Sequence, residues 1–426
     1  MTAEVAIVNS GAIALAADSA VTIGGQKIYN SAIKLFTLSK TEPVAIMIYG
    51  NANLLNVPWE TLIKSFRKLN GNKKFDKLEE YSQEFFKYLI ENANLFSIDE
   101  QKKWFLGQIH GLCSEMLKNA LNETRKANEE TDDLNYEKFL KILDGYVSNI
   151  HSNAMQKSFI IGMDIDFEKF VCQKYFSDIA NIFSSVFEKI NIPDDMLNKL
   201  FDISVTVLTR DVFFDRASGI VVAGFGDKEI YPSVITHEIE SIFEGKLKYK
   251  CVNDKSIKIE RGSDCSIIAF AQEDMVHTFM RGINPSIFEM LQNYMNQLFV
   301  RLPELMDDTI SDDNKQNFTE KTKELLIDFF DKFSNYVREE HISPVLNMVE
   351  VLPKDELAAM AEALVHLTAF KRKMTVGMET VGGPIDVAVI SKGDGLVWVK
   401  RKHYFPSELN QHFFTNYFRG LGNGNN

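Results

Sequence analysis

Apolar residues along the chain follow two alternating periods. From Ala3 to Val8 the pattern alternates, Asn9-Ser10-Gly11 reads as a turn, and Ala12 to Ala17 is almost wholly apolar. The opening therefore predicts two paired strands, the second buried on both faces. Gly24-Gly25 marks another turn, Lys34 opens the next apolar run, and Val44 to Tyr49 predicts a strand that ends at Gly50. After Gly50 the period moves to about 3.6 and stays helical for roughly 160 residues. Pro58 sits at a predicted helix start, Leu78, Tyr81, Phe85 and Leu89 share one helical face, and Ser97-Ile98-Asp99-Glu100 is a capping box before a long helix. Further helices are predicted around 135–155, 176–190 and 195–209.

Strand patterns return at Ile220–Asp227, Ile230–Thr236 and Ser266–Phe270. A second helical block runs from about 285 to 372, with Ile287–Leu302, Phe318–Glu339 and an alanine-rich helix after Pro353. Val381–Ile390, a Gly393-Asp394-Gly395 turn and Leu396–Lys400 close the chain as a hairpin. The order implies an α+β chain with two stacked antiparallel sheets between helical layers, an αββα architecture. The pattern shifts give core strands at 1–54, 213–275 and 376–405, helical blocks at 55–212 and 276–375, and a tail at 406–426 whose end, from Gly420, is expected to be disordered.

The candidate chemistry lies in the first fifty residues. Thr2 is followed at equal intervals of sixteen residues by Asp18 and Lys34. Removal of Met1 would give Thr2 both a hydroxyl and a free α-amine, a nucleophile that carries its own base. An α-amine, whose ordinary pKa is about 7.7 to 8.0, is substantially neutral near neutral pH.

Thr2, Gly11, Ala17-Asp18-Ser19, Thr22, Gly24, Lys34 and Gly50 together resemble the amino-terminal motif of proteasome β-type subunits. They are also similar to the bacterial ATP-dependent proteasome-like peptidase and to the ancestral β-subunit family, Anbu. Val222-Ala-Gly-Phe-Gly-Asp227 is similar to the strand that follows the helix pair in those subunits, and Val381-Gly-Gly-Pro-Ile-Asp386 resembles the closing strand of Anbu. The resemblance implies a four-layer αββα N-terminal-nucleophile hydrolase sandwich with enlarged helical insertions, acting as a threonine peptidase on a peptide or protein substrate.

By the same resemblance, Lys34 stands beside the hydroxyl and lowers the pKa of the amine, Asp18 holds Lys34, and the Gly50 N–H receives the oxyanion. Thr22 binds the substrate main chain as an added strand, and Val21, Ala32, Ile48 and Ala52 match specificity-pocket positions that favour an apolar side chain. The implied partners are further copies of the chain and an ATP-dependent unfoldase.

Several positions depart from the family pattern. Ala3 replaces a second threonine and Ala20 a polar residue. Before Gly382-Gly383 the expected Asp and Ser positions read Met378 and Val381, which leaves Glu379 as the candidate acid. Ala271-Gln272-Glu273 replaces the family's Gly-Ser-Gly. Asp215-Arg-Ala-Ser218-Gly219 imitates the missing motif but precedes a different strand, and reads as a decoy. The competing reading is a catalytically inactive proteasome-like assembly or binding module.

Composition narrows the remaining classes. With 426 residues, 45% of them hydrophobic, the chain can bury a large core. A net charge of −12 with a pI near 5.3 disfavours nucleic acid, because phosphate backbones are held by clustered Lys and Arg. Lys400-Arg401-Lys402 reads as the solvated end of a strand, and the acidic runs at 129–133 and 307–313 as solvated loops. Cys113, Cys172, Cys251 and Cys265 are widely spaced, which suggests neither a disulfide framework nor zinc and favours a reducing cytoplasm. No targeting segment or membrane span is predicted. His237-Glu238 lacks a second histidine at helical spacing, so neither metal nor other cofactor is expected.

Overall fold

Asn9 sets the opening hairpin. Its Oδ1 accepts hydrogen bonds from Gly11 N and Ala12 N, each at 3.0 Å, in the local pattern that suits Asn to turns. Its Nδ2 donates to Val349 O and Leu352 O, each at 3.1 Å, tying the turn to a distant helix end. A computed structural model places residues 2–23, 27–126, 136–188, 190–214, 217–260, 264–302, 312–375 and 381–418. Met1, Gly24-Gly25, the acidic residues at 129–133 and 307–308, Asp215, Met378, Glu379 and the tail from Gly420 lie outside the described residues.

The strands that open the chain are β1 Ala3–Val8, β2 Ala12–Ala17, β3 Val21–Ile23, β4 Lys27–Tyr29, β5 Leu35–Thr37 and β6 Val44–Gly50. A short hairpin, β7 Asn53–Leu54 and β8 Val57–Pro58, leads into α1 Trp59–Asn70, α2 Leu78–Glu91, α3 Ile98–Lys126, α4 Tyr136–Met155, α5 Ile165–Val186 and α6 Asp194–Thr209. Then come β9 Ser218–Gly224, β10 Ser233–Phe243, β11 Lys246–Cys251, β12 Ile257–Lys258 and β13 Ser266–Ala271. The second helical stretch is α7 Asp274–Arg281, α8 Pro285–Arg301, α9 Asp312–Val337, a π-helical turn Arg338–Ile342, α10 Ser343–Val351 and α11 Lys354–Met374. The hairpin β14 Asp386–Ser391 and β15 Gly395–Lys400 precedes α12 Gln411–Phe418.

The chain is thus α+β, with antiparallel sheets. One sheet has the order β13-β1-β2-β14-β15, the other β11-β10-β9-β6-β5 with β12 also paired to β10. Period-two alternation sorts their side chains between layers. Val44, Ile46 and Ile48 of β6 and Ile220 and Val222 of β9 pack with Trp59, Leu62, Phe66, Phe85 and Leu89 of α1 and α2. Ala45, Met47, Val221 and Ala223 join Ala6, Val8, Ile13, Leu15 and Phe270 of the other sheet in a shared cluster. Ala3, Val5, Ala12, Ala14 and Ala16 pack with Val276, Leu357, Ala361 and Val365, where small side chains on β2 let α11 approach closely.

The helices α3 to α6 have a core of their own. Phe105, Ile109, Cys113 and Met116 of α3, at helical spacing, meet Leu143, Val147, Ile179 and Leu200, with Phe243 from β10 inserted among them. Below this core Lys248 is buried and donates to Val207 O at 2.6 Å, to Val212 O at 2.5 Å and to the Glu240 carboxylate, so the carbonyl end of α6 meets a cation. Among the described residues no helix is long and apolar enough to cross a membrane.

Some expected boundaries move. The helix expected from 176 starts at Ile165, because the Asp164 side chain caps it by accepting from Phe167 N at 2.9 Å. The strand expected at Ile230–Thr236 starts at Ser233 and runs on to Phe243, pairing with β11. His237, Glu238, Glu240 and the lysines of β11 break the apolar alternation there, and the Glu240–Lys248 pairing is what lets charged groups sit inside such a ladder. The strand expected from Val381 starts at Asp386, since Gly383 takes φ +78° against Asn30. The strand β1, read as alternating, is buried along both faces.

Candidate active site

The β1–β2 hairpin decides what stands beside Thr2. Its register pairs Glu4 with Ala17, which brings Asp18 opposite Ala3. Asp18 N donates to Ala3 O and Ala3 N donates to Asp18 Oδ1, each at 3.1 Å. Asp18 Oδ2 accepts from Ala20 N at 3.2 Å and from Gly382 N at 2.9 Å. Lys34 Nζ donates to Oδ1 at 2.5 Å. Asp18 is 0% exposed and Lys34 6%, so a buried charge is paired and has its remaining lone pairs occupied, as burial requires.

Lys34 enters from the other sheet. It directly precedes β5, and its carbonyl accepts from Ile48 N of β6 at 2.9 Å. Thr2, 7% exposed, precedes β1, and its carbonyl accepts from Gln272 N at 3.1 Å. Two strand ends, one from each sheet, therefore bring Thr2, Asp18 and Lys34 into one neighbourhood.

Gly50 ends β6 with φ +77°, and a Cβ there would lie 2.6 Å from Ala217 O, so backbone conformation and space both demand glycine. Opposite Gly50 in the ladder, Ser218 accepts from Trp59 Nε1 at 2.9 Å and donates to Asn51 O at 3.0 Å. The serine of the decoy motif thus braces the segment after Gly50. Val21 and Thr22 lie on β3, paired with Tyr29 and Ile28 of β4. Half-buried Ala32 donates its N–H to Ser19 O at 3.1 Å, which sets it beside the Asp18 segment. Ile48 packs into the cluster under α1 and α2, while Ala52 is exposed beyond Gly50, its carbonyl accepting from Trp59 N at 3.1 Å. Glu379 lies outside the described residues.

The closing glycines serve this neighbourhood through their backbone. Ser19 N donates to Gly382 O at 3.1 Å, and Ser19 Oγ donates to Pro384 O. Where the family resemblance implies a serine, Ala271 takes φ +64° and Gln272 Oε1 accepts from Arg372 Nε at 2.6 Å and from its Nη2. A small cleft lined by Gln272, Met275, Thr368, Lys371 and Arg372 opens beside that pair.

Sequence reasoning passed over Glu4. It is two residues from Thr2 on the same strand face and 1% exposed. Burial pushes its carboxyl well above the usual range, Lys34 pulls it down, Asp18 pushes it up, and the adjacent Thr2 hydroxyl pulls it down. The Thr2 hydroxyl lies close enough to perturb that carboxyl, yet among the described residues neither side chain meets hydrogen-bond geometry with a partner. Burial and neighbouring carboxylates, Glu4 among them, raise the Tyr49 phenol. The available signal was a carboxylate inside a strand flanked by apolar residues.

His237 lies buried in β10. Its ring meets Phe86 edge-on at 4.7 Å, and burial lowers its pKa to about 4. Among the described residues no three His, Cys, Asp or Glu side chains gather as a metal site.

No family model matches the chain, and no curated protein matches it. Among solved structures it is similar to Anbu (ancestral beta-subunit) from Yersinia bercovieri, at 10% identity over 100% of this chain and 98% of that one, with a TM-score of 0.25. It is also similar to the Anbu complex from Pseudomonas aeruginosa, described as a helical assembly, at 9% identity over 100% and 97% with a TM-score of 0.27. A Gly-1 mutant of Anbu from Hyphomicrobium sp. strain MC1 matches at 10% identity over 100% and 99%, with a TM-score of 0.25.

Proposed function

We propose that the chain is a threonine-type N-terminal-nucleophile hydrolase that cleaves peptide bonds, with Thr2 as nucleophile once Met1 is removed. The observation that carries this reading is the Asp18–Lys34 pair: a fully buried carboxylate, held by three backbone N–H groups, fixes a lysine beside the strand that follows Thr2. Such a pair is a costly way to stabilise a sheet edge and an effective way to preorganise charge.

The α-amine of Thr2 takes the hydroxyl proton, Oγ attacks the substrate carbonyl, and the charge of Lys34 favours negative charge on oxygen. The Gly50 N–H stabilises the oxyanion. Collapse releases the amine product, and water hydrolyses the ester left on Thr2. An extended peptide adds to the β3 edge at Thr22, with the side chain before the cut among Val21, Ala32, Ile48 and Ala52.

A four-layer αββα arrangement is part of the reading, supported by the apolar cluster shared between the sheets and by helices on the other face of each. Beyond those layer helices, segments 55–212 and 276–375 are read as enlarged by insertion, and the second as an assembly surface, since Met290, Tyr294, Leu325, Ile327 and Tyr336 are exposed on α8 and α9. Four free cysteines suit a reducing cytoplasm.

The Gln272–Arg372 pair, standing where the resemblance implies a serine, favours a second reading: an assembly module without catalysis. Intact mass combined with a threonine-directed covalent peptide inhibitor separates the two. Label on Thr2, lost in Thr2→Ala, supports the hydrolase; an assembled chain that takes no label supports the module.

A further inference from the structure

Among the described residues, four buried oxygen atoms in this neighbourhood have no hydrogen-bond partner: Thr2 Oγ1, both carboxyl oxygens of Glu4 and the Tyr49 hydroxyl. Buried polar atoms are nearly always paired, so several orphans in one place need an explanation. Alternation along β1 gives Thr2 and Glu4 the same face as Ala6 and Val8, toward the space between the sheets. Tyr49 comes from β6 across that space and feels the charge of Glu4. The ionisable groups bearing on Glu4 are Lys34, Asp18 and Tyr49, while its cross-strand neighbours Ala17 and Phe270 are apolar.

We propose that Glu4 is a second proton acceptor and donor for the Thr2 hydroxyl, working beside the α-amine of the mature chain. The inference rests on Thr2 being the nucleophile. On this route ionised Glu4, in place of the α-amine, takes the Oγ proton as the Oγ–carbon bond forms and the carbonyl electron pair moves onto oxygen. When the intermediate collapses, the carbon–nitrogen bond breaks and the Glu4 carboxylic acid returns that proton to the leaving nitrogen. In the second half water gives a proton to Glu4 as it attacks the ester, and Glu4 returns it to Thr2 Oγ. Water is the sole additional reactant.

Burial raises the carboxyl above its usual range and the charge of Lys34 lowers it, so two opposed neighbours act on the proton of Glu4. Orphaned oxygens fit this role, because a shuttle must exchange partners during turnover. A purely structural carboxyl would have fixed donors, as Asp18 has.

The test is single-turnover acylation of Thr2 by a peptide-based covalent probe across pH, in wild type, Glu4→Gln and Glu4→Asp. Glu4→Gln should acylate about a hundredfold more slowly or worse near neutral pH, with its acid limb moved to that of the amine alone, and Glu4→Asp should recover part of the rate. Wild-type rates and an unchanged pH profile in Glu4→Gln overturn the proposal and leave the hydrolase reading standing. A wild-type chain that never acylates overturns the hydrolase reading first, and the shuttle with it. Infrared difference spectra give a readout independent of turnover: wild type should show a protonated-carboxyl band that Glu4→Gln lacks and that shifts in Thr2→Val. A band indifferent to the Thr2 hydroxyl also overturns the proposal, and comparing wild type with Thr2→Val needs no Glu4 variant to fold.

Discussion

Lys34 and Asp18 join the two sheets through a single buried contact, Nζ to Oδ1 at 2.5 Å, and the same carboxyl oxygen holds the N–H of Ala3 next to Thr2. Asp18 follows a strand of one sheet and Lys34 precedes a strand of the other. The contact therefore couples the position of the amino terminus to the packing between the sheets. An exposed ion pair would contribute little, whereas one with a fully buried carboxylate is strongly destabilising to break.

Removing either partner has unequal consequences. Lys34→Ala leaves Asp18 with three backbone donors, so its cost should fall below the roughly 3–5 kcal/mol of an uncompensated buried charge. Asp18→Asn keeps one accepting oxygen, strands at least one N–H and leaves Lys34 buried without a counter-charge. Thermal unfolding should show a larger loss for Asp18→Asn, while both variants lose about a hundredfold or more of turnover. Wild-type turnover in either, on a substrate that Thr2→Ala cannot cleave, would remove the pair from the mechanism.

Intact mass should show Met1 absent from purified protein, because threonine in second position is small enough for methionine aminopeptidase and the amine must be free to act as base. A chain that keeps Met1 and still cleaves peptides would eliminate the amine from the chemistry.

Gly50→Ala should cost about 1–3 kcal/mol from positive φ alone, with the contact to Ala217 O added, and should lower kcat by displacing the Gly50 N–H at the end of β6. Gly107→Ala is the control: it lies inside α3 with nothing near its added methyl, and should raise stability by about 0.5–1 kcal/mol. An unchanged unfolding midpoint for Gly50→Ala contradicts the strain argument.

His237 predicts how stability responds to acid. Its folded pKa of about 4 lies below the ordinary value of about 6.5, so over that interval the unfolded chain binds a proton that the folded chain does not. Its contribution vanishes above the unfolded value and becomes increasingly destabilising as pH falls toward 4, at up to about 1.4 kcal/mol per pH unit. Glu4 acts in the opposite sense: its raised pKa lends stability that is full below the usual carboxyl range and is lost as pH rises through the raised value. Denaturant titrations should show that His237→Phe flattens the acid side of the stability profile and Glu4→Gln the alkaline side. Profiles parallel to wild type would contradict both assignments.

Local rules made much of the architecture legible from sequence. The apolar runs at β2 and β6 and the 3.6 period of α2, α3 and α11 report burial within a few residues of chain, and Ser97 Oγ accepting from Glu100 N at 3.2 Å is a contact within one turn. Equal spacing singled out Thr2, Asp18 and Lys34, and Gly50 stood out as the end of an apolar strand. Tertiary structure alone decided that Gly382 N reaches Asp18, that Arg372 holds Gln272 beside Thr2, and that Glu4 is buried against Thr2 with its oxygens unpaired among the described residues. Gly382 and Asp18 are 364 residues apart, Arg372 and Gln272 100 apart, and no local pattern encodes such pairings. The state of Glu4 is a further step removed, because a carboxyl keeps or loses its proton according to the water that packing excludes and the charges that packing brings near.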